Sequence, residues 1–309
     1  SKTDNLDAID LLVYADAFNI DSSTNGIRSI MHLVWAKPDN DETNSVCKAV
    51  VDTYRDLFMQ APPQLSAKDQ ARVIAENLID LSRNATQGEL MSLEKLIELS
   101  VTSDYIPVSV VSRLWGLYQT AQPIQISRRR GSALILSMLA KADSSIARGG
   151  VEAITRIGLN IVNGEVDIEL ATHSCSVLRS AIDNEDGIKR LPSDYRLFAE
   201  ICKVLLLPVC ADNPLDLHAK SMQWVHLAKA GLAAIHSMCD CPPKVYTELM
   251  KRYTMEIFQS RGNSKFVRKQ LFTQSVFLAG EIALLNLMYL ERCESEFKQK
   301  IRDSAGVNK

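Results

Sequence analysis

Apolar residues recur along almost the whole chain at steps of three and four, the period of a helix with one buried face. The strict in–out alternation that a strand needs is almost absent. In residues 128–141, Leu134, Ile135, Met138 and Leu139, with Ala142 just beyond, fall on one side of a helix whose N-cap is expected at Ser127. A second start is signalled by Thr86-Gln87-Gly88-Glu89, a capping box. There the Thr86 hydroxyl and the Glu89 carboxylate satisfy backbone N–H groups that a first turn leaves without partners. Leu90, Leu93, Leu96 and Ile97 continue its apolar side.

The pattern predicts about fourteen helices, over 4–17, 23–36, 42–59, 67–82, 87–100, 108–120, 128–142, 145–159, 167–181, 194–207, 216–237, 243–259, 264–290 and 291–303. Short breakers separate them: 37–40, Ala61-Pro62-Pro63, Ile106-Pro107, Gln122-Pro123, Asn163-Gly164, 183–187, Asn213-Pro214, Cys241-Pro242-Pro243 and Arg261-Gly262. Two such helices with their links occupy about 40 residues, the period of HEAT and armadillo arrays. A weak internal echo accompanies it: Gly26, Gly131 and Gly231 are each followed four residues later by an isoleucine, Ile30, Ile135 and Ile235. A short helix pair cannot bury its own apolar face, so successive pairs must stack. The expected fold is all-α, a HEAT-repeat α-solenoid of about seven helix pairs forming one continuous segment over residues 1–309. A globular helical bundle is the alternative.

Composition narrows the classes. The 309 residues are 46% hydrophobic and 23% charged, with 13 Gly and 10 Pro, ordinary values for a folded chain and not for a disordered one. A net charge of -2 provides no global attraction to nucleic acid, so any such contact needs a local basic patch. No uninterrupted run of 18 apolar residues occurs, which predicts no membrane span. The first ten residues are polar and acidic, unlike a signal or transit peptide. The apolar pattern begins almost at once, which reads as an interior piece of something longer. Seven cysteines without a spacing framework predict buried, reduced thiols. The Asn84-Ala85-Thr86 sequon is read as chance, and no Ser-Pro or Thr-Pro site occurs.

Catalytic signatures are missing. The chain has no phosphate-binding glycine loop, no nucleophile elbow and no H-E-x-x-H. Gly149-Gly150 reads as a helix break. Cys239-Asp240-Cys241 and His173-Ser174-Cys175 lack the spacing of zinc sites, and His218, His226 and His236 are too far apart on one helix to chelate together. The acidic runs Asp39 to Glu42 and Asp183 to Asp186 read as solvated turns. The expectation is therefore no enzyme, no cofactor and no metal.

Two basic clusters stand out. Arg128, Arg129 and Arg130 open a helix, where the macrodipole disfavours each exposed cation by ~0.3–1 kcal/mol. Three guanidiniums beside free N–H groups can receive a phosphate or a carboxylate. The alternative is a solvated helix start with ion pairs to a neighbouring repeat. Lys265, Arg268 and Lys269 share a face near Arg261, with Lys251 and Arg252 one helix earlier; an ordinary solvated face is the reading favoured over ligand contact here. Without interleaved aromatics, contact with DNA here would be to phosphate and blind to sequence.

A set of strings, in order, resembles the condensin subunit 1 family, the HEAT-repeat regulatory subunits of condensin I. They are Gly26-Ile27-Arg28-Ser29-Ile30-Met31-His32-Leu33-Val34-Trp35, Ala75-Glu76-Asn77-Leu78-Ile79, Gly88-Glu89-Leu90-Met91-Ser92-Leu93-Glu94, Arg129-Arg130-Gly131-Ser132-Ala133 through Met138-Leu139-Ala140, Arg156-Ile157-Gly158-Leu159, Leu170-Ala171-Thr172-His173-Ser174-Cys175, and Gly280-Glu281-Ile282-Ala283-Leu284 through Tyr289-Leu290-Glu291. Asn160 departs from the family pattern and residues 191–260 match poorly, as in a divergent, fungal-type member. The resemblance implies a scaffold in mitotic chromosome condensation that binds the kleisin subunit, approaches the SMC ATPase heads and contributes to double-stranded DNA binding, without hydrolysing ATP. It implies a place in the nucleus and on chromosomes, with a cytoplasmic pool. A nuclear transport receptor or another armadillo adaptor is the competing reading. Its Trp-x3-Asn ladder is missing, since Trp35, Trp115 and Trp224 are followed by Asp39, Gln119 and Ala228.

Overall fold

The Thr86 signal closes as a capping box: Glu89 N–H donates to the Thr86 hydroxyl at 3.3 Å and the Thr86 N–H to the Glu89 carboxylate at 2.6 Å. Ser66 starts the preceding helix in the same manner, accepting from Asp69 N–H, and Asn213 accepts from Asp216 N–H ahead of Pro214 at the first helical position. The computed structural model describes residues 2–18, 20, 23–36, 46–120, 126–182, 190–211, 213–258 and 264–306. The breakers at 37–40, 122–123, 183–187 and 261–262, and the acidic runs within 39–42 and 183–186, lie outside these residues.

The architecture is all-α and consistent with an α-solenoid. Its contacts divide the chain into two units, Ser1–Ala147 and Arg148–Lys309. The first holds α1 (Lys2–Ala17), α2 (Ser23–Ile30), a 3-10 turn (Met31–Trp35), α3 (Val46–Phe58), α4 (Ala67–Ser82), α5 (Gln87–Thr102), α6 (Val108–Gln119) and α7 (Ile126–Ala142). Here α3 packs on α4 and α5, α4 on α6 and α7, and α5 on α7, so each helix meets partners one to three places along the chain. That is how stacked pairs bury the face neither can cover alone. Leu78, Leu93, Leu96, Leu114, Ile135 and Leu136 form the fully buried seam.

The division falls within the short helix α8 (Ser144–Arg148). The second unit holds α9 (Val151–Ala153), a π-helical turn (Ile154–Gly158), a small antiparallel hairpin of β1 (Ile161–Val162) and β2 (Glu165–Val166), and then α10 (Ile168–Arg179), α11 (Arg196–Leu205), α12 (Pro214–Met238), α13 (Pro242–Phe258) and α14 (Lys265–Gly306). α10, α11, α13 and α14 all pack on α12, and α13 also packs on α14. The Tyr253 hydroxyl and the Trp224 indole N–H both donate to the Leu205 carbonyl, at 2.5 and 3.3 Å, closing the end of α11.

Several expectations are corrected. Ser127 is not an N-cap: it lies inside α7, which is already helical at Ile126. Residues 264–290 and 291–303 are one helix, because the expected break at Leu290-Glu291 contains neither Gly nor Pro. The helix expected over 145–159 is interrupted at Gly149-Gly150 and ends in a wider π turn, in which the Leu159 N–H donates to the Ile154 carbonyl five residues back. Asn163-Gly164 is the two-residue hairpin turn, both residues at positive φ (53° and 81°), the pairing that a type I′ turn selects.

The glycine echo acquires a meaning. A Cβ on Gly131 would stand 2.7 Å from Ile79 Cγ2 and one on Gly231 3.1 Å from Ile201 Cγ2, while one on Gly26 would collide with Leu12. Each glycine marks a close approach between helices, and Ile30, Ile135 and Ile235 follow one turn later in the core.

Candidate functional site

Arg128, Arg129 and Arg130 sit at a firmly held helix start. The Ser132 hydroxyl, fully buried, donates to the Leu114 carbonyl of α6 at 2.6 Å, and Gly131 lets α7 approach Ile79 of α4. Arg128 is exposed and reaches Glu76 of α4 at 3.5 Å, the inter-repeat ion pair that was the alternative to ligand contact. An exposed pair of this length contributes little to stability and leaves the guanidinium available. Arg129 and Arg130 are half-buried. At the other end of α7, Lys141 pairs with Glu94 of α5.

The second cluster is only partly gathered. Lys265 and Lys269 are exposed on the first turns of α14 and Arg268 is half-buried between them. Val267 and Leu271 of the same turns line an open groove of about 350 Å³ with Lys203, Pro208, Arg252 and Met255. Arg252 is bound there to Glu248, Nε to Oε1 at 3.1 Å. Lys251 points elsewhere, into a separate groove beside Ile282 and Asn286. Arg261 lies outside the described residues.

The remaining candidates disperse. Among the described residues no group of three or more His, Cys, Asp or Glu side chains could hold a metal ion. Cys175, Cys202 and Cys239 are buried and burial pushes each thiol up to about 12, so none is a ready nucleophile at neutral pH. Cys210, in contrast to the expectation of buried thiols, is exposed. His218 and His226 are exposed, and His236 is half-buried further along α12.

Two polar clusters escaped the sequence reading. In the first unit, the Trp35 indole N–H donates to the Ser92 hydroxyl at 3.1 Å and His32 Nδ1 lies 2.9 Å from the same oxygen. Nearby, Arg28 donates to the Arg83 carbonyl at 2.9 Å beyond the end of α4, where a cation also meets the negative pole of the helix. In the second unit, Arg190 and Arg292 donate to the Ser237 and His236 carbonyls at the end of α12, both at 3.2 Å, and both face Glu296. Burial, then Arg292 and Arg190, hold His236 below its ordinary pKa. Tyr289 hydrogen-bonds Cys293 and Cys241, which together with burial pushes its hydroxyl pKa up. Apart from the Arg292–Glu296 and Tyr289–Cys293 pairs within α14, partners 47 to 106 positions apart leave no spacing signal in a sequence.

One feature departs from the expected lack of a membrane span. Among the described residues α14 is long and apolar enough, by length and composition, to cross a membrane. The uninterrupted-run test missed it because Thr273, Gln274, Ser275 and Glu281 break the run. Those breaks face protein in part: Gln274 donates to the Leu207 carbonyl at 3.0 Å, and Glu281 pairs with Lys229 of α12 at 3.5 Å.

No family model matches the chain. Individual relatives do. The chain is 29% identical across 97% of its length to condensin complex subunit 1 of Saccharomyces cerevisiae and 26% identical across 98% to that of Schizosaccharomyces pombe. To the Xenopus laevis protein of the same name it is 23% identical across 94%, and the likeness reaches a condensin-1 complex subunit of Arabidopsis thaliana. It spans only about a quarter of these relatives, 27%, 28% and 21% of the first three. Arg28, Ser92, Gly131 and Ser132, which lie in the strings that carry the family resemblance, are also side chains or close approaches that lock neighbouring helices together. Along nearly its whole length, then, this chain is similar to condensin complex subunit 1 of fungi and animals and to a condensin-1 complex subunit of a plant.

Proposed function

We propose that the chain is a non-enzymatic HEAT-repeat scaffold segment of a condensin complex, acting in mitotic chromosome condensation. The likeness to condensin complex subunit 1 along about 97% of the chain carries this reading. The packing of each helix on partners one to three places away supports it, because such a ladder presents long faces and bends by small increments. In this reading residues 1–309 form one continuous repeat segment that holds the kleisin subunit and the SMC ATPase heads and touches double-stranded DNA through phosphates. Its place is the nucleus and the chromosomes, with a cytoplasmic pool. Arg128, Arg129 and Arg130 are the first candidates for a phosphate or acidic partner, and Lys265, Arg268 and Lys269 the second.

Co-purification with kleisin fragments, mapped by cross-linking, tests the assignment; a chain that captures none of them is not this scaffold. For the first cluster, replacing Arg128, Arg129 and Arg130 by Glu leaves helical content intact and weakens duplex DNA or partner binding. The wild-type loss of affinity with salt becomes shallower by about one unit of logarithmic slope per phosphate contact removed. Unchanged gel shifts and unchanged pull-downs of kleisin and SMC heads retire the cluster as a contact.

A further inference from the structure

Two of the seven cysteines meet inside the second unit. Cys241 is the residue before α13, and Cys293 lies in α14. Both are half-buried, unlike Cys175, Cys202 and Cys239, which are sealed from solvent. The register of α14 brings them together. Its Ile282 and Asn286 line a groove with Pro243, Tyr246 and Met250 of α13. Further along, Arg292 donates to the His236 carbonyl at the end of α12, at 3.2 Å. The partners move back along the chain as α14 advances. Cys241, between His236 and Pro243, therefore stands opposite the stretch from Asn286 to Arg292. Tyr289 lies in that stretch, and its hydroxyl hydrogen-bonds both Cys241 and Cys293, the second one turn along the same helix. One phenol oxygen is thus shared by two sulfurs.

The surroundings suit a reactive pair. The Arg292 guanidinium lies 4.9 Å from the centre of the Tyr289 ring, holding the phenol in place. Arg190 faces Cys293, and Arg190 and Arg292 share a single carboxylate, Glu296. Oxidation-prone cysteines occur in such places: electropositive, open to solvent in part and beside a second thiol. The corner that carries Cys241 is otherwise held by hydrogen bonds, Leu191 N–H to the Met238 carbonyl at 2.7 Å and Asp240 N–H to the Leu191 carbonyl at 2.9 Å. A covalent link from Cys241 to Cys293 would fasten this corner to α14.

We propose that Cys241 and Cys293 are an oxidant-sensitive pair, a modification site that hydrogen peroxide converts into a disulfide joining the start of α13 to α14. Cys293, the sulfur that Arg190 faces, reacts first. Its thiolate attacks one peroxide oxygen, the O–O bond breaks, and the hydroxide released takes up a proton and leaves as water. The Cys241 thiolate then attacks the sulfur of the resulting sulfenic acid, the S–O bond breaks, and a second water leaves after protonation. Two thiols give up two electrons and two protons, and one peroxide becomes two waters. Rotation about χ1 of both cysteines closes the gap that the phenol oxygen now spans.

The first test needs no substitution. The full-length protein is exposed to a few equivalents of hydrogen peroxide, blocked with N-ethylmaleimide, digested without reductant and analysed by mass spectrometry. The expected product is a Cys241–Cys293 cross-linked peptide that dithiothreitol removes. In Cys241→Ser the same treatment leaves a Cys293 sulfenic acid that dimedone captures. The proposal is overturned if both thiols remain open to N-ethylmaleimide, if Cys241 pairs with Cys239, or if the disulfides formed join separate molecules through Cys210. Peroxide is also expected to raise the unfolding temperature of the unaltered protein by several degrees, because the link encloses α13 in a loop. Cys293→Ala abolishes that rise; a rise that persists in this variant counts against the pair.

Discussion

α7 and α14 are both rich in apolar residues and carry them to different ends. In the 17-residue α7, Ser132, Ala133, Ile135, Leu136, Met138, Leu139 and Ala140 are all buried, most of its circumference, because α4, α5 and α6 surround it. In the 42-residue α14 the buried residues are Leu271, Gln274, Ser275, Leu278 and Ile282, and larger apolar side chains face solvent. Apolar content alone therefore does not locate the core. The number of layers around a helix decides whether a leucine stabilises the fold or awaits a partner.

The contrast is sharpest for leucine. Leu136→Ala removes a fully buried side chain and is expected to cost about 2–5 kcal/mol, whereas Leu287→Ala, 59% exposed, stays within roughly 0.5 kcal/mol in residues 1–309. Denaturant unfolding of the two variants checks this; equal losses would mean that α14 is as enclosed as α7. Gly131→Ala comes next. Its methyl would meet Ile79 Cγ2 at 2.7 Å, so overpacking is expected to cost about 1–3 kcal/mol, while Gly280→Ala, with nothing within 4 Å, stabilises α14 by roughly 0.5–1 kcal/mol. Thermal melts of the pair should move in opposite directions. Thr86→Ala removes one half of the capping box and is expected to cost about 1 kcal/mol.

The smallest effect concerns pH. His236 is held below its ordinary value of 6.5 by burial and by Arg292 and Arg190. As the pH falls the unfolded chain takes up the proton first, so stability is full above the ordinary histidine range and declines as the pH drops through it towards the folded value. His236→Gln should flatten that part of a stability profile measured between about pH 7.5 and 5.5. If the slope is unchanged, other groups produce it.

Helix positions were legible wherever local chemistry set them. Residues 67–82 were expected as a helix and α4 covers Ala67–Ser82, because Ser66 and the residues after Ser82 mark both ends. The Thr86 box and the glycine–isoleucine echo were visible for the same reason: a cap and a close approach each require particular residues within a turn. Long-range facts were not. Nothing in the spacing tells that Ser92 receives Trp35, that Arg292 closes α12, or that Lys251 and Arg252 line separate grooves. The basic triplet was found by its conflict with the helix dipole, and its Glu76 partner required the fold. The boundary expected at Leu290 has no cap or breaker residue behind it, and α14 runs through it as one helix of 42 residues.

That undivided helix is also a lever. At 1.5 Å per residue α14 is about 63 Å from end to end, and no proline interrupts it to absorb a bend. A rigid rod of that length turns a tilt of about 10° at its first turn into a sweep of roughly 11 Å at its last, by geometry alone. Displacements too small to alter the packing around Leu271 and Leu278 would be magnified severalfold by the time they reached Ile301.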